Sequence, residues 1–334
     1  MKAAQVQEVG GVEQIEVVEL PIPVPQPDEV LIKVEWGGVN FIDILFRDGD
    51  YRRPTPYIMG EEGAGTIVSF PCTTDIAETE DFEARGFHKG ARAVTFGSGC
   101  FAEYVAVHWK DVFVIPNGVS TRIAAAIMTQ GLTALTAVRD AYSVEKGDTV
   151  LVHTAAGGVG MLLCQLARNR GATVIGTTSS EAKARRARAA GASHVILYTN
   201  ESIPQTVLKI TKGQGVQGIY DGIGAATWKG DLEAIAVMGT IVSLGDASGP
   251  VPPVNLHTLA EKNVKVCYPA LKNYLPSPKR FQNYCTELFE FVRTGQLKIE
   301  IFAEYPFTTA GIRQTHLDIE SRKTSGKLLV KIGS

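Results

Sequence analysis

Cysteine is scarce in this chain. The 334 residues hold five, at positions 72, 100, 164, 267 and 285, with no CxxC pair among them. An odd, scattered set excludes a disulfide framework and predicts reduced thiols. No stretch approaches the ~18 consecutive apolar residues of a membrane helix. The first residues, MKAAQVQEVGGVEQIEV, alternate apolar and polar and lack the apolar core of a secretory signal. Neither sign of charge dominates: 33 Lys and Arg face 35 Asp and Glu, a formal net charge of -2. That balance gives no broad field toward nucleic acid or an anionic membrane. Local basic runs exist, and the most notable, KARRAR at 183–188, falls on a predicted helix and reads mostly as a solvated face. The six histidines (His88, His108, His153, His194, His257 and His316) show no metal-ligand spacing. His153 is expected to have a structural or hydrogen-bonding role. Together these absences predict a cytoplasmic globular protein.

The length exceeds one comfortable core, so two domains are expected. Residues 1 to about 115 read as strand and turn. QIEVVEL and EVLIKVEWGGV alternate, and PIPVPQP between them is an extended connector, because proline has no N–H to donate. The polar, acidic piece at about 71–88 reads as a surface excursion. Near residue 120 the rhythm changes. An alanine-rich helical stretch leads into DTVLVHT, ATVIGTT, HVILY, VQGIYDGI and TIVSLG, separated by amphipathic segments. Short apolar runs alternating with such helices predict an α/β fold: a doubly wound parallel sheet. One of those helices is predicted at 158–170, with Val159, Leu162, Leu163 and Leu166 on one stripe and Gly171 closing it. The Rossmann-type unit is placed at 122–260. It is inserted into a β-rich domain made of 1–121 and 261–334.

The joint AAGGVG carries Gly157, Gly158 and Gly160 around Val159. It departs from strict G-x-G-x-x-G, and alone it also fits a tight turn. Its context, strand then glycines then helix, favours a pyrophosphate on the helix N-terminus. About 20 residues on, an NAD site presents an acid to the ribose 2′-hydroxyl. Here Thr178, Ser179 and Ser180 end the second strand, with Lys183, Arg185 and Arg186 just beyond. Hydroxyls and cations suit a 2′-phosphate, so NADPH is the predicted cofactor and Lys183 the main cation. Glu181 is the exception, placed where a carboxylate also favours the helix dipole.

HTAAGGVG, QGLTA at 130–134, NFID at 40–43, YDGIG at 220–224 and ESRKTSGKLLV at 320–330 occur in family order. The chain resembles the zeta-crystallin-type NADPH:quinone oxidoreductases, the zinc-free branch of the medium-chain dehydrogenase/reductase superfamily. The resemblance implies that the β-rich part is a GroES-like catalytic domain. The positions matching the catalytic zinc ligands of alcohol dehydrogenases are Asn40, Glu61 and Gln130, in place of cysteine and histidine. No metal is therefore expected. A quinone or conjugated carbonyl delocalises incoming charge itself and needs mainly orientation and a proton source.

By the same resemblance, Asn40 and Thr133 flank the nicotinamide. For Asn40 the other reading is a turn residue, and for Thr133 a helix-start hydroxyl. Tyr51 matches a tyrosine at the cleft mouth, or only packs. Leu45 stands where the family often has a second tyrosine. Tyr198 falls at the adenosine phosphate end, or is a strand-end surface aromatic. Ile223, Leu244 and Gly245 lie at strand carboxyl ends, where such sheets bind ligands. Arg322 and Lys327 belong to a segment returning toward the cofactor, where one touches phosphate or both are surface charge. A homodimer joined edge to edge through the nucleotide domains is implied, with TIVSLGDASG near the contact. The expected activity is NADPH-dependent quinone reduction, by hydride or by single electrons. An enoyl or alkenal reductase is the alternative. A reading of another class is a crystallin-like or mRNA-binding protein, since family members have been recruited to both uses.

Overall fold

The computed structural model describes residues 1–71 and 80–333. Residues 72–79 of the acidic excursion, Cys72 included, lie outside the described residues. The chain divides into two compact units, one of residues 1–130 and 275–334, the other of residues 131–274. Helix Thr121–Thr136 runs through the first changeover. Its unbroken apolar spacing explains why composition marks no boundary there.

The unit of residues 131–274 holds six strands, all paired in parallel. In sheet order they are His194–Leu197, Thr173–Thr178, Thr149–Val152, Val216–Asp221, Ile235–Ser243 and Lys265–Cys267. Leu151, Ile175, Ile196, Ile219 and Ile241 fill its centre at 0–1% exposure, since helices cover both faces of a parallel sheet. The order reverses at the first strand, Thr149–Val152, which has the second strand on one side and the fourth on the other. Ligands of open α/β sheets bind at such a reversal. Helix Gly158–Asn169 follows directly, burying Leu162, Leu163 and Leu166, while Val159 is only half-buried. Gly171 at φ +89 ends it.

The other unit is built on a seven-stranded sheet around the long strand Glu29–Val39, which pairs antiparallel with Glu62–Ser69, Tyr104–His108 and Lys327–Lys331. The C-terminal strand thus returns beside Val39 and delivers Lys327 to the sheet interior. The excursion is anchored where it can be followed, contrary to a purely surface reading of 71–88. Phe82 packs edge-on against Phe87 and Trp109. Arg85, 3% exposed, donates to the carbonyls of Val112, Lys110 and Pro278 and to Gln282. Buried carbonyls and aromatic faces satisfy a cation that the polar sequence around it suggests is solvated.

Candidate active site

Asn40 ends the strand Glu29–Val39 and caps helix Phe41–Asp48. Asp43 completes the reciprocal box, its Oδ2 accepting the Asn40 backbone N–H at 2.8 Å. The Asn40 amide donates to Glu62 Oε1 at 2.7 Å and to the Gly38 carbonyl at 3.3 Å. Its Oδ1 accepts from Lys327 Nζ at 2.9 Å, and the Lys327 ammonium also pairs with Glu62. The second Glu62 oxygen accepts the Thr129 N–H at 2.7 Å. Lys327 and Glu62 are fully buried. Neither surface charge nor an exposed phosphate ligand describes Lys327. Its place at the start of the C-terminal strand, next to Val39, puts it against Asn40 instead. Burial first, then Glu61, pushes the Asp43 carboxyl up to about 8.

Glu61 accepts from Arg53 at 2.6 Å and from the Ser98 hydroxyl at 3.3 Å. The Arg53 guanidinium lies 3.6 Å above the Phe46 ring. Tyr51 is half-buried, meets Phe46 edge-on with centroids 6.0 Å apart, and donates its backbone N–H to Leu45. Thr133 stands in the last turn of its helix, so a helix-start hydroxyl is not its place. Its carbonyl accepts the Thr136 hydroxyl.

In the other unit, the glycine-rich loop runs from His153 to Gly160. Thr154 holds φ +49, a conformation that a β-branched residue adopts only under constraint. A Cβ on Gly160 would lie 2.2 Å from the Thr154 carbonyl oxygen, and on Gly157 3.2 Å from the same atom. Gly157 is the N-cap of helix Gly158–Asn169 and brings no side chain to the first-turn N–H groups. Those groups, at Gly158, Val159 and Gly160, suit an anion.

At the end of the second strand Thr178 is buried, its hydroxyl bonded to the Ser180 carbonyl at 3.4 Å. Ser180 caps the next helix by accepting the Lys183 N–H, while Ser179 is half-buried beside it. Glu181, the one carboxylate there, pairs with Arg188 at 2.6 Å. That pairing offsets its repulsion of a phosphate. Burial lowers the Lys183 ammonium from its ordinary range. Tyr198 is 44% exposed, with its N–H on the Thr178 carbonyl. Ile223 donates its N–H to Asp221, and the Leu244 N–H reaches the Asp221 carbonyl, so these strand ends and Gly245 form one rim. Arg322 has φ +59 and is exposed, at the end of helix Thr309–Glu320.

Beneath this rim His153 donates or accepts at both nitrogens, to Thr177 Oγ1 at 3.1 Å and Asp231 Oδ1 at 2.8 Å. Burial alone would lower its imidazole, but Asp231 and Asp221 overcome that and raise it. Burial raises the Asp231 carboxyl as well. Both directions favour the protonated forms.

Residues 26–117 match the alcohol dehydrogenase GroES-like domain and residues 158–290 the zinc-binding dehydrogenase family. A probable quinone oxidoreductase of Schizosaccharomyces pombe is 37% identical over 327 residues, covering 98% of this chain and 95% of that protein. A mycobacterial structure complexed with NADPH superposes with a TM-score of 0.92 at 36% identity, covering 99% of this chain and 100% of that one. The Escherichia coli quinone oxidoreductase complexed with NADPH gives 0.91 at 30% identity, with coverage of 99% and 100%.

The chain belongs to the quinone oxidoreductase family. It is an oxidoreductase of the medium-chain superfamily, with the GroES-like and Rossmann-like parts that membership requires. Glu62, Asp43 and Asp231 are the residues that sequence reasoning missed. Only Asp43 left a signal there, as the acid three residues after a cap at Asn40. The others become partners through strand register and helix placement. Among the described residues, no helix is long and apolar enough to cross a membrane.

Proposed function

We propose that the chain is a zinc-independent reductase passing reducing equivalents from NADPH to quinones and related conjugated carbonyls. The observation that carries this reading is the uncapped helix N-terminus at Gly157–Gly160, with hydroxyls and Lys183 at the neighbouring strand end. That donor set fits a pyrophosphate and a 2′-phosphate. When bound, NADPH supplies the hydride from its nicotinamide ring. Backbone N–H groups of Gly158, Val159 and Gly160 would hold the pyrophosphate, and Ser179, Ser180 and Lys183 the 2′-phosphate. Thr178 would support that end from below. Tyr198, Ile223, Leu244 and Gly245 would border the nucleotide, with Arg322 as a further cation.

Asn40, Thr133 and Tyr51 are assigned to the reacting end. Asn40 has both amide hydrogens engaged and its Oδ1 bonded to Lys327, so it offers the reacting end a fixed surface. Lys327 and Glu62 are its positioning residues. Tyr51 orients the acceptor or gives it a proton. Zinc independence is supported by the donors themselves. Asn40 is committed to Glu62 and Lys327, and Glu61 to Arg53, in a set without sulfur or imidazole.

NADPH oxidation with 1,4-benzoquinone, 9,10-phenanthrenequinone and a trans-2-enoyl thioester, before and after chelation, tests this. Quinone turnover that survives chelation is expected. Faster turnover of the thioester would move the assignment to alkene reduction. No turnover with any acceptor, together with salt-sensitive RNA binding, would end it.

A cytosolic homodimer completes the proposal. All four described cysteines are free, as a reducing compartment requires. Val237 and Met238 are 67% and 66% exposed near the sheet edge formed by Lys265–Cys267, and Tyr268 beside it is 58% exposed. Pairing of two such edges would cover them. A monomer by light scattering would overturn the dimer.

A further inference from the structure

His153, Asp221 and Asp231 come from the end of the first parallel strand, the end of the fourth and the helix Trp228–Ala234. One ligand atom from each lies within 4.8 Å of the others, and the three residues are 1–2% exposed. Asp231 Oδ2 is buried without a hydrogen-bond partner, although its carboxylate sits beside a second one. Neither aspartate pairs with a lysine or arginine among the described residues. Asp221 is held by three donors, so the buried polar atom of this cluster left without a partner is Asp231 Oδ2, a costly arrangement in the interior.

We propose that these three side chains bind a divalent transition-metal ion of borderline hardness, with Zn²⁺ as the reference case. One imidazole nitrogen and two carboxylate oxygens form a donor set of that class. His153 Nε2 and Asp231 Oδ1 are already 2.8 Å apart, and an ion with bonds of about 2.1 Å would spread tetrahedral ligands to about 3.4 Å. The outer partners are in place too. His153 Nδ1 faces the Thr177 hydroxyl, which fixes the ring with Nε2 turned inward. Asp221 is held by the N–H groups of Ile223 and Gly224 and by the Thr227 hydroxyl. A cavity of about 200 Å³, lined by His153, Asp231, Tyr198, Glu201 and Thr227 among others, gives the ion an entry path and room for water ligands. The ion would give Asp231 Oδ2 a partner and tie the glycine loop to the helix behind it. Metal uptake and quinone turnover are read by separate measurements, so failure of one and failure of the other are distinguishable.

The test uses the full chain, stripped with chelator and titrated with Co²⁺ and Zn²⁺. Expected are one Co²⁺ site with visible d–d absorption, its displacement by Zn²⁺, and a rise in Tm of several degrees with either ion. Asp231→Asn and, separately, His153→Gln are each expected to lower affinity at least tenfold; either one that folds suffices. Overturning results are no uptake by the wild type, or uptake unchanged in the variants. A protonated-carboxyl stretch in the infrared spectrum that vanishes in Asp231→Asn and persists in excess Zn²⁺ would also overturn it, by assigning a proton to the place of the ion.

Discussion

The ammonium of Lys327 and the carboxylate of Glu62 form an ion pair with neither side chain exposed, and Asn40 bonds to both. The two residues are 265 positions apart. Removing one partner leaves the other charged in a place without water. Lys327→Met is therefore expected to destabilise the protein by about 3–5 kcal/mol. The double variant with Glu62→Gln should lose clearly less than the sum of the two single losses. Denaturant midpoints check this, and strict additivity would show that the pair does not act as one.

Asp43 gives stability a pH slope. Its carboxyl is raised from 3.8 to about 8 in the folded state, so the folded protein holds a proton that the unfolded chain releases near pH 4. The contribution is whole below that and is lost as pH rises toward 8, amounting to at most on the order of 5 kcal/mol. Tm of the wild type should fall between pH 5 and 8.5. Asp43→Asn, which keeps an acceptor for the Asn40 N–H, should flatten that fall. Equal slopes in the two proteins would remove Asp43 from the account.

Lys183→Ala bears on cofactor choice. A charge-assisted bond to phosphate contributes about 1.5–3 kcal/mol. NADPH affinity should drop roughly 10–100-fold while NADH affinity changes little, as calorimetry would show. An unchanged ratio would assign the 2′-phosphate to other residues.

Gly160→Ala and Gly157→Ala separate backbone clash from side-chain chemistry. At Gly160 the new methyl would meet the Thr154 carbonyl at 2.2 Å, and that loop cannot yield without losing its shape. Loss of NADPH binding, with a lower Tm, is expected. At Gly157 the same contact is 3.2 Å, so a few tenths of an ångström of relaxation suffice and binding should weaken less. Similar losses at both positions would show that bulk at the cofactor, rather than loop geometry, sets the requirement.

The doubly wound unit was legible because its signals are local. Apolar runs of strand length, amphipathic helices and glycines at a strand-to-helix joint all act within about 20 residues. Gly171 as a stop is local in the same way. Asn40 was legible as a site residue only through the resemblance to a family, and its capping role came only with the structure.

What pairs with Asn40 was not legible, because Lys327 arrives on a strand whose register the chain near either residue does not encode. Nor does spacing bring His153, Asp221 and Asp231 together. They meet where the sheet order reverses, and that order is set by how helices cover the two faces. Local hydrogen bonding and hydrophobic period are thus written in the sequence of this protein. Which buried charges meet was decided by strand register and layer packing, since only the assembled fold removes the water that would otherwise keep them apart.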